Sequence, residues 1–385
     1  MSLSCNHLTN HIAVVSADGV ISPCCQFRDY RQPHNYRTIF NTESLDNVLE
    51  LGFWDNTRTE LAKGNKIKNC ESCWTVEDAN SHSKRIWINS VTKPTDPVRI
   101  EDLEIGLDYT CNMMCRICKP SQSSKWNQSK AAQVLYSRRP EIYRKVSNGK
   151  EYQDKFKSLL ENSDLKHLRR VRLAGGEPFY SKNFEWFIDR IATETDITLV
   201  EFAVNTNGSL IPKDSTLEKI LQMKKVSIDF SIDAIGDLAS CIRWGVKWET
   251  VQENILKWIE LAKTHKNIKL STHSTISILN VNKIQELIDF CDANNIRFGF
   301  STLKDPDYLD FRQLPLDIRK QWTVTSKALD QFAIDDINKS ILSENLVKNK
   351  LYDFIYFTEV MDKEQSTLFA NTNPEIFELA EKYKK

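Results

Sequence analysis

The chain has 385 residues, enough for two or three domains and a sizeable buried core. Lys+Arg and Asp+Glu number 52 each, and this balance excludes a protein that grips nucleic acid or an anionic membrane with its whole surface. Apolar residues make up 41% without a run long enough to span a bilayer, which predicts a globular, non-membrane protein. Met1 to Asn10 lack a basic stretch followed by an apolar one, so no secretory signal is expected and the cytoplasm is the default compartment.

Residues 1–97 are short segments broken by Asp18-Gly19, Pro23, Pro33, Gly52 and Gly64. Ile12 to Ile21 reads as a small hairpin turning at Asp18-Gly19, and Thr92 to Pro97 as a linker. From Val98 the pattern changes. Strands are predicted at 101–107, 168–174, 198–205, 225–232, 268–279 and 296–303, alternating with helices near 121–137, 181–194, 214–223, 249–264 and 281–294. Val251, Ile255, Trp258, Ile259 and Ala262 recur on one helical face. Six β–α units in series imply parallel strands with right-handed crossovers. They fall short of the eight of a closed barrel, so the expected α/β fold is an open partial (β/α)6 barrel over 98–310, with a doubly wound sheet as the alternative. The tail, 311–385, is expected to be helical at 313–333, 336–349 and 374–384. Residues 119–172 hold 14 Lys+Arg against 5 Asp+Glu, a surplus that fits a solvated helical face or attraction of an acidic substrate.

Ten cysteines are many for a chain without a secretory signal, so metal ligation outranks disulfides. Cys111, Cys115 and Cys118 follow the first barrel strand on one loop. Thiolates bind iron–sulfur clusters, and three of them can hold three irons of a cubane and leave the fourth open to a ligand. The other predicted strand ends are polar too: Gly175-Gly176-Glu177, then Asn205 to Gly208 including Asn207, then Ser231 and Asp233. Active sites of such barrels lie at the C-terminal ends of strands, and this rim suits a ligand with an amine and hydroxyls. Cys5, Cys24, Cys70 and Cys73 form a second group, suited to a four-thiolate cluster or to structural zinc; Cys25 competes with Cys24, and His7 and His11 enter only a zinc version. Cys241 and Cys291 have no partner spacing and read as small buried hydrophobes, Cys241 with the further option of donating hydrogen at the rim.

With these motifs, Val98 to Lys304 resembles the radical S-adenosylmethionine (SAM) superfamily. The three-cysteine loop, Gly175 to Pro178, Ser231 with Asp233, and Arg243 carry the resemblance. Ile117 stands where many members have an aromatic residue before the third cysteine. The resemblance implies a 4Fe–4S cluster on Cys111, Cys115 and Cys118. It also implies SAM bound by Gly175, Gly176, Glu177, Asn207, Ser231, Asp233 and Arg243, with the adenine side near Thr275 to Ile278. The N-terminal cysteines, with Gly19, resemble the auxiliary-cluster pattern of SPASM and twitch domains, here placed before the barrel. That implies a second 4Fe–4S cluster on Cys5, Cys24, Cys70 and Cys73 that relays electrons. It further implies an external flavodoxin- or ferredoxin-like donor and a peptide or protein side chain as substrate, with no nucleic acid and no membrane. The catalytic residue toward the substrate is left unassigned. Two other readings compete: radical chemistry on a small, acidic, non-peptide metabolite such as a sugar, nucleotide or amino-acid metabolite, and a non-catalytic zinc or iron–sulfur scaffold or redox sensor.

Overall fold

The computed structural model describes residues 3–27, 37–46, 48–145, 149–329, 331–346 and 349–384. Pro33 and parts of the two helices expected across 330 and 347–348 lie outside these residues. Nine strands are described: β1 His11–Val14, β2 Asp102–Ile105, β3 Met114–Cys115, β4 Arg170–Leu173, β5 Glu201–Thr206, β6 Lys225–Ser231, β7 Arg243–Trp244, β8 Ile268–Ile276 and β9 Arg297–Thr302. All six expected barrel strands are among them. The residues fall into two compact units: 1–109 with 147–204 and 213–226, and 110–146 with 205–212 and 227–385.

In the first unit β1, β2, β4 and β5 follow one another, each pair parallel and in register. β1 was not among the expected strands. Its residues do turn back at Asp18-Gly19, and Ala13 and Ser22 exchange both backbone hydrogen bonds. The same four residues also pair with β2 from His11↔Asp102 to Val14↔Ile105, so the segment 1–97 contributes a strand to the parallel array. Both β1 and β2 are buried along their whole length, as strands covered on both faces must be. Helices Gly149–Glu161 and Phe184–Glu194 bury Phe156, Leu160, Phe187, Ile188 and Ile191 in the same unit. Burial of each such side chain stabilises by roughly 1.5–3 kcal/mol.

In the second unit β8 and β9 run parallel over six residue pairs beside β6. Helix Trp248–Thr264 buries Val251, Ile255 and Trp258 as its spacing predicts, together with Trp248 and Asn254. The helix expected at 121–137 is two: Ser124–Gln128 and Lys130–Tyr136. The break falls at Ser129, whose hydroxyl caps the second helix by accepting from the Ala132 N–H. The tail is helical, as expected, with different bounds. The described residues of 313–329 hold one short α-turn, Leu316–Arg319, and a helix follows at Gln331–Ile341. The longest tail helix, Leu351–Gln365, was not expected; helix Pro374–Tyr383 was. Among the described residues no helix is long and apolar enough to cross a membrane.

Candidate functional site

The three-cysteine loop is a folded object in its own right. Met114 and Cys115 form a two-residue antiparallel ladder with Trp244 and Arg243, and the Arg116 N–H donates to the Ile242 carbonyl (2.7 Å). The residues that follow fold back on the loop. The Trp126 indole N–H donates to the Cys115 carbonyl (2.8 Å), the Ser123 hydroxyl to the Met113 carbonyl (2.7 Å), and the Cys111 N–H to Ser124 Oγ (3.1 Å). Gly245 lets the strands approach: it has φ +128°, and a Cβ there would lie 2.6 Å from the Asn112 carbonyl oxygen. Any other residue would be strained at that φ and would collide with backbone.

Cys111 and Cys115 are buried and Cys118 half-buried. The Met113 N–H lies 3.4 Å from Cys111 Sγ and the Asn207 amide 3.9 Å from it, contacts that favour a thiolate. Contact with Cys118, then burial, pushes the Cys115 thiol well up, while Arg243 works the other way. Three thiols on one loop are a donor set that fits an iron–sulfur cluster.

Asn207, at the end of β5, donates to Asn112 Oδ1 (3.0 Å) and accepts from the Ser209 N–H (2.9 Å). Ser231, the last residue of β6, is half-buried. Asp233 is almost fully buried, its Oδ1 accepting from the Thr275 N–H (2.8 Å) and its carbonyl from the Asn280 amide (2.8 Å). Its Oδ2 lies 2.7 Å from Arg243 Nε. The two residues expected at opposite ends of SAM thus meet each other. Their contact is a close ion pair without an aligned hydrogen bond, so both keep hydrogen-bonding capacity inside a buried space. Burial works against the Arg243 charge, but Asp233, Cys115 and Cys118 outweigh it and raise its pKa further; one guanidinium nitrogen is 4.0 Å from Cys115 Sγ. Met113, Asn207, Asp233, Arg243, Trp248 and Val251 line a narrow cleft here. Asn112, Arg116 and Gly245 are site residues that motif reading passed over; the Gly directly after Arg243-Trp244 was the available signal.

The remaining predicted residues lie in the first unit and are described there. Gly175 and Gly176 follow β4 with φ of +75° and +44°; a Cβ on Gly175 would press on the Asp108 carbonyl at 3.3 Å. Glu177 is buried, and its Oε1 accepts from the Phe179 N–H (3.1 Å), capping the turn Pro178–Tyr180.

Cys5, Cys24, Cys70 and Cys73 are brought together from three segments. Burial pushes Cys5 up to about 11 and Cys24 to about 12. Cys70 is raised by burial and then by Cys24, Cys5 and Cys73, which lie near enough to act on its charge. Cys25 turns elsewhere, to the Lys84 ammonium at 3.0 Å, which also holds Glu104 at 3.0 Å. The segments are tied by side chains: Arg85 and Asn89 donate to the Ser4 carbonyl, and the Ser72 hydroxyl to the Gln26 carbonyl. His7 and His11 stack at 3.9 Å beside Asp102. One ligand atom each of His7, His11 and Asp102 lies within 4.8 Å of the other two.

Residues 109–292 match the family model described as the Radical SAM superfamily. Among curated proteins, a GTP 3',8-cyclase of Aliarcobacter butzleri is 24% identical over 52% of this chain and 55% of its own length. An S-adenosylmethionine-dependent nucleotide dehydratase of Fibrobacter sp. is 22% identical over 69% of each. The chain thus spans about half the length of the first of these relatives. Among solved structures, Streptococcus suis SuiB aligns at 16% identity with a TM-score of 0.36, covering 71% of this chain and 51% of that one. A likeness at that score carries no argument of its own. The match spans the loop and cleft just described, so residues 109–292 are similar to the radical SAM superfamily.

Proposed function

We propose that the chain cleaves SAM reductively at a 4Fe–4S cluster on Cys111, Cys115 and Cys118, and that its substrate is a nucleotide. When bound, the cluster supplies one electron that splits SAM into methionine and a 5′-deoxyadenosyl radical, which takes a hydrogen atom from the substrate and leaves as 5′-deoxyadenosine. The chain's own residues bind and orient. The observation that carries the reading is the buried, misaligned Arg243–Asp233 pair beside the Cys115 sulfur. Arg243 is ready to swing its guanidinium to the SAM carboxylate, leaving Asp233 and Ser231 for the ribose hydroxyls and Asn207 beside them. Gly175, Gly176 and Glu177 are assigned to the methionyl amine. The narrow cleft excludes water from a radical that attacks any nearby bond.

A nucleotide substrate is supported by the names of the two relatives, a GTP cyclase and a nucleotide dehydratase. The positive surplus over 119–172 suits phosphates. The peptide or protein side chain expected from the wider resemblance has no comparable support, and the nucleotide takes its place. Cys5, Cys24, Cys70 and Cys73 are proposed to hold an auxiliary 4Fe–4S cluster that relays an electron. In this reading 1–97 is the auxiliary segment, 98–310 the barrel and 311–385 a helical extension, and a flavodoxin- or ferredoxin-like protein supplies electrons.

The test is anaerobic. The chain is reconstituted with iron and sulfide, reduced with dithionite and given SAM with GTP, with other nucleoside triphosphates, or with an unrelated peptide. About eight irons per chain are expected for two clusters. Deoxyadenosine formation should rise with a nucleotide and not with the peptide. Bound zinc with no deoxyadenosine under any condition returns the chain to the scaffold reading, and stimulation by peptide alone overturns the nucleotide assignment.

A further inference from the structure

Arg116 sits between two cluster-loop cysteines, and its side chain is wholly buried. A buried guanidinium needs partners. Its backbone and Nε reach the segment before β7, the Nε lying 3.3 Å from the Cys241 carbonyl. Its charge is met from the far end of the sequence: Nη2 donates to Asp362 Oδ1 and to Thr367 Oγ1 (3.2 Å). Asp362 is itself held, its two carboxylate oxygens each 3.1 Å from the Phe369 N–H.

Two neighbours on the same helix make separate contacts. The Gln365 amide donates to the Met114 carbonyl (3.0 Å), inside the loop. The Glu364 carboxylate accepts from the Lys130 and Ala131 N–H groups (3.2 Å each), at the start of the helix that follows the loop. Asp362, Glu364 and Gln365 thus grip the chain before, between and after the segment that carries Cys115 and Cys118. These side-chain contacts add to the loop's short backbone ladder with β7.

We infer that the last turn of helix Leu351–Gln365 is a positioning element for the cluster loop, with Asp362 and Gln365 as positioning residues acting through Arg116 and Met114. This rests on the proposed function for its consequence and not for its geometry. Partners of this kind, one step removed from a metal ligand, change metal affinity or activity about 10–100-fold when removed.

The experiment uses the full-length chain in two states. In the iron-free chain, maleimide alkylation of each cysteine is timed by peptide mass spectrometry, comparing wild type with Asp362→Asn, Gln365→Leu and the exposed control Glu359→Gln. Cys115 should react at least about 10-fold faster in the first two and unchanged in the third, with fully buried Cys291 unchanged throughout. In the reconstituted chain, the same two variants should weaken the loop cluster's hold on iron against a chelator about 10–100-fold, leave the other cluster's iron in place, and shift the midpoint potential and EPR signal of the loop cluster. Arg116→Gln with Asp362→Asn, which removes the stranded cation, should recover part of both. Unchanged Cys115 reactivity in both variants overturns the inference, as does a rise shared equally by Cys291, which would mark the helix as a general stabiliser. If no cluster forms even in wild type while Cys115 protection still depends on Asp362, the inference stands and the proposed function falls.

Discussion

Cys111, Cys115 and Cys118 lie within eight residues on one loop, whereas Cys5, Cys24, Cys70 and Cys73 come from three segments spread over the first 73 residues. The first set is braced by its own ladder with β7 and by Trp126 and Ser123 folding back, so its shape is fixed before any metal arrives. The second is drawn together by burial and a few side-chain ties such as Arg85 to Ser4 and Ser72 to Gln26. Cys5, Cys24 and Cys70 are pushed up mainly by burial, so the proposed auxiliary cluster would release protons on binding. The lesson is a division of labour. A local three-ligand site leaves room for a substrate at the metal, while a four-ligand site assembled by the fold ties metal to stability.

Cys115→Ala separates the two most sharply. It should abolish deoxyadenosine formation and remove about four irons, leaving the other four in place. Cys70→Ala should do the reverse for iron, lower the melting temperature of the reconstituted chain, and keep measurable SAM cleavage. Loss of all iron from either variant would mean that the two sites are not independent. Arg243→Met should cost about 3–5 kcal/mol, because it strands the nearly inaccessible Asp233 carboxylate without a cation. The double variant Arg243→Met/Asp233→Asn should recover much of that stability in urea unfolding without recovering SAM affinity. A single variant as stable as wild type would show that Asp233 has other compensation.

Much of this arrangement was legible from residue patterns. The six barrel strands are where the apolar runs placed them; β2 is buried throughout, while β4, β5 and β6 bury alternate residues, the period-two signal of a strand. The loop cysteines were legible because their contacts are local. β1 was missed as a barrel strand: His11 to Val14 looks like one arm of a hairpin, and its pairing with β2 lies some ninety residues away. Helix Leu351–Gln365 was missed because aromatic residues occupy both of its faces. Phe354 and Phe357 are buried, yet Tyr352 is exposed and Tyr356 half-buried, which blurs the apolar stripe. The Arg243–Asp233 pair could not be foreseen, since both residues were assigned to a ligand and not to each other.

The first unit also holds a buried titratable cluster, His7, His11 and Asp102. Burial, and then the neighbouring His11, lowers His7 from 6.5 to about 2, so the ring stays neutral in the folded chain. Asp102 is brought to about 2 because His11 and Arg170 outweigh its burial. Both folded-state values are depressed, so the stability they confer is present above the unfolded values and is lost as pH falls. The His7 contribution should start to fall below about pH 6.5, by about 1.4 kcal/mol per unit, or nearly 3 kcal/mol by pH 4.5; Asp102 adds to the loss only below about pH 4. Urea midpoints at pH 7.5, 6 and 4.5 measure this, and His7→Gln should flatten the slope. An unchanged slope would mean that His7 is not the group being held neutral.

The smallest effect expected distinguishes two adjacent residues. Cys24 and Cys25 were rivals for one ligand position. Burial raises the Cys24 pKa, Lys84 opposes it and Cys5 adds to the rise, while Cys25 is exposed with its Sγ 3.0 Å from the Lys84 ammonium. Cys25→Ser keeps a small polar group beside Lys84, whose ammonium retains Glu104 as a partner. It should therefore leave the iron count unchanged and shift stability by no more than about 1 kcal/mol. Cys24→Ser removes one thiolate of four and should cost the auxiliary cluster. Iron counts on the two reconstituted variants, with melting curves, decide the matter. If Cys25→Ser loses the iron and Cys24→Ser retains it, the ligand is Cys25, and Lys84 would then be bonded directly to a cluster thiolate in the region where the fold, and not the loop, assembles the metal site.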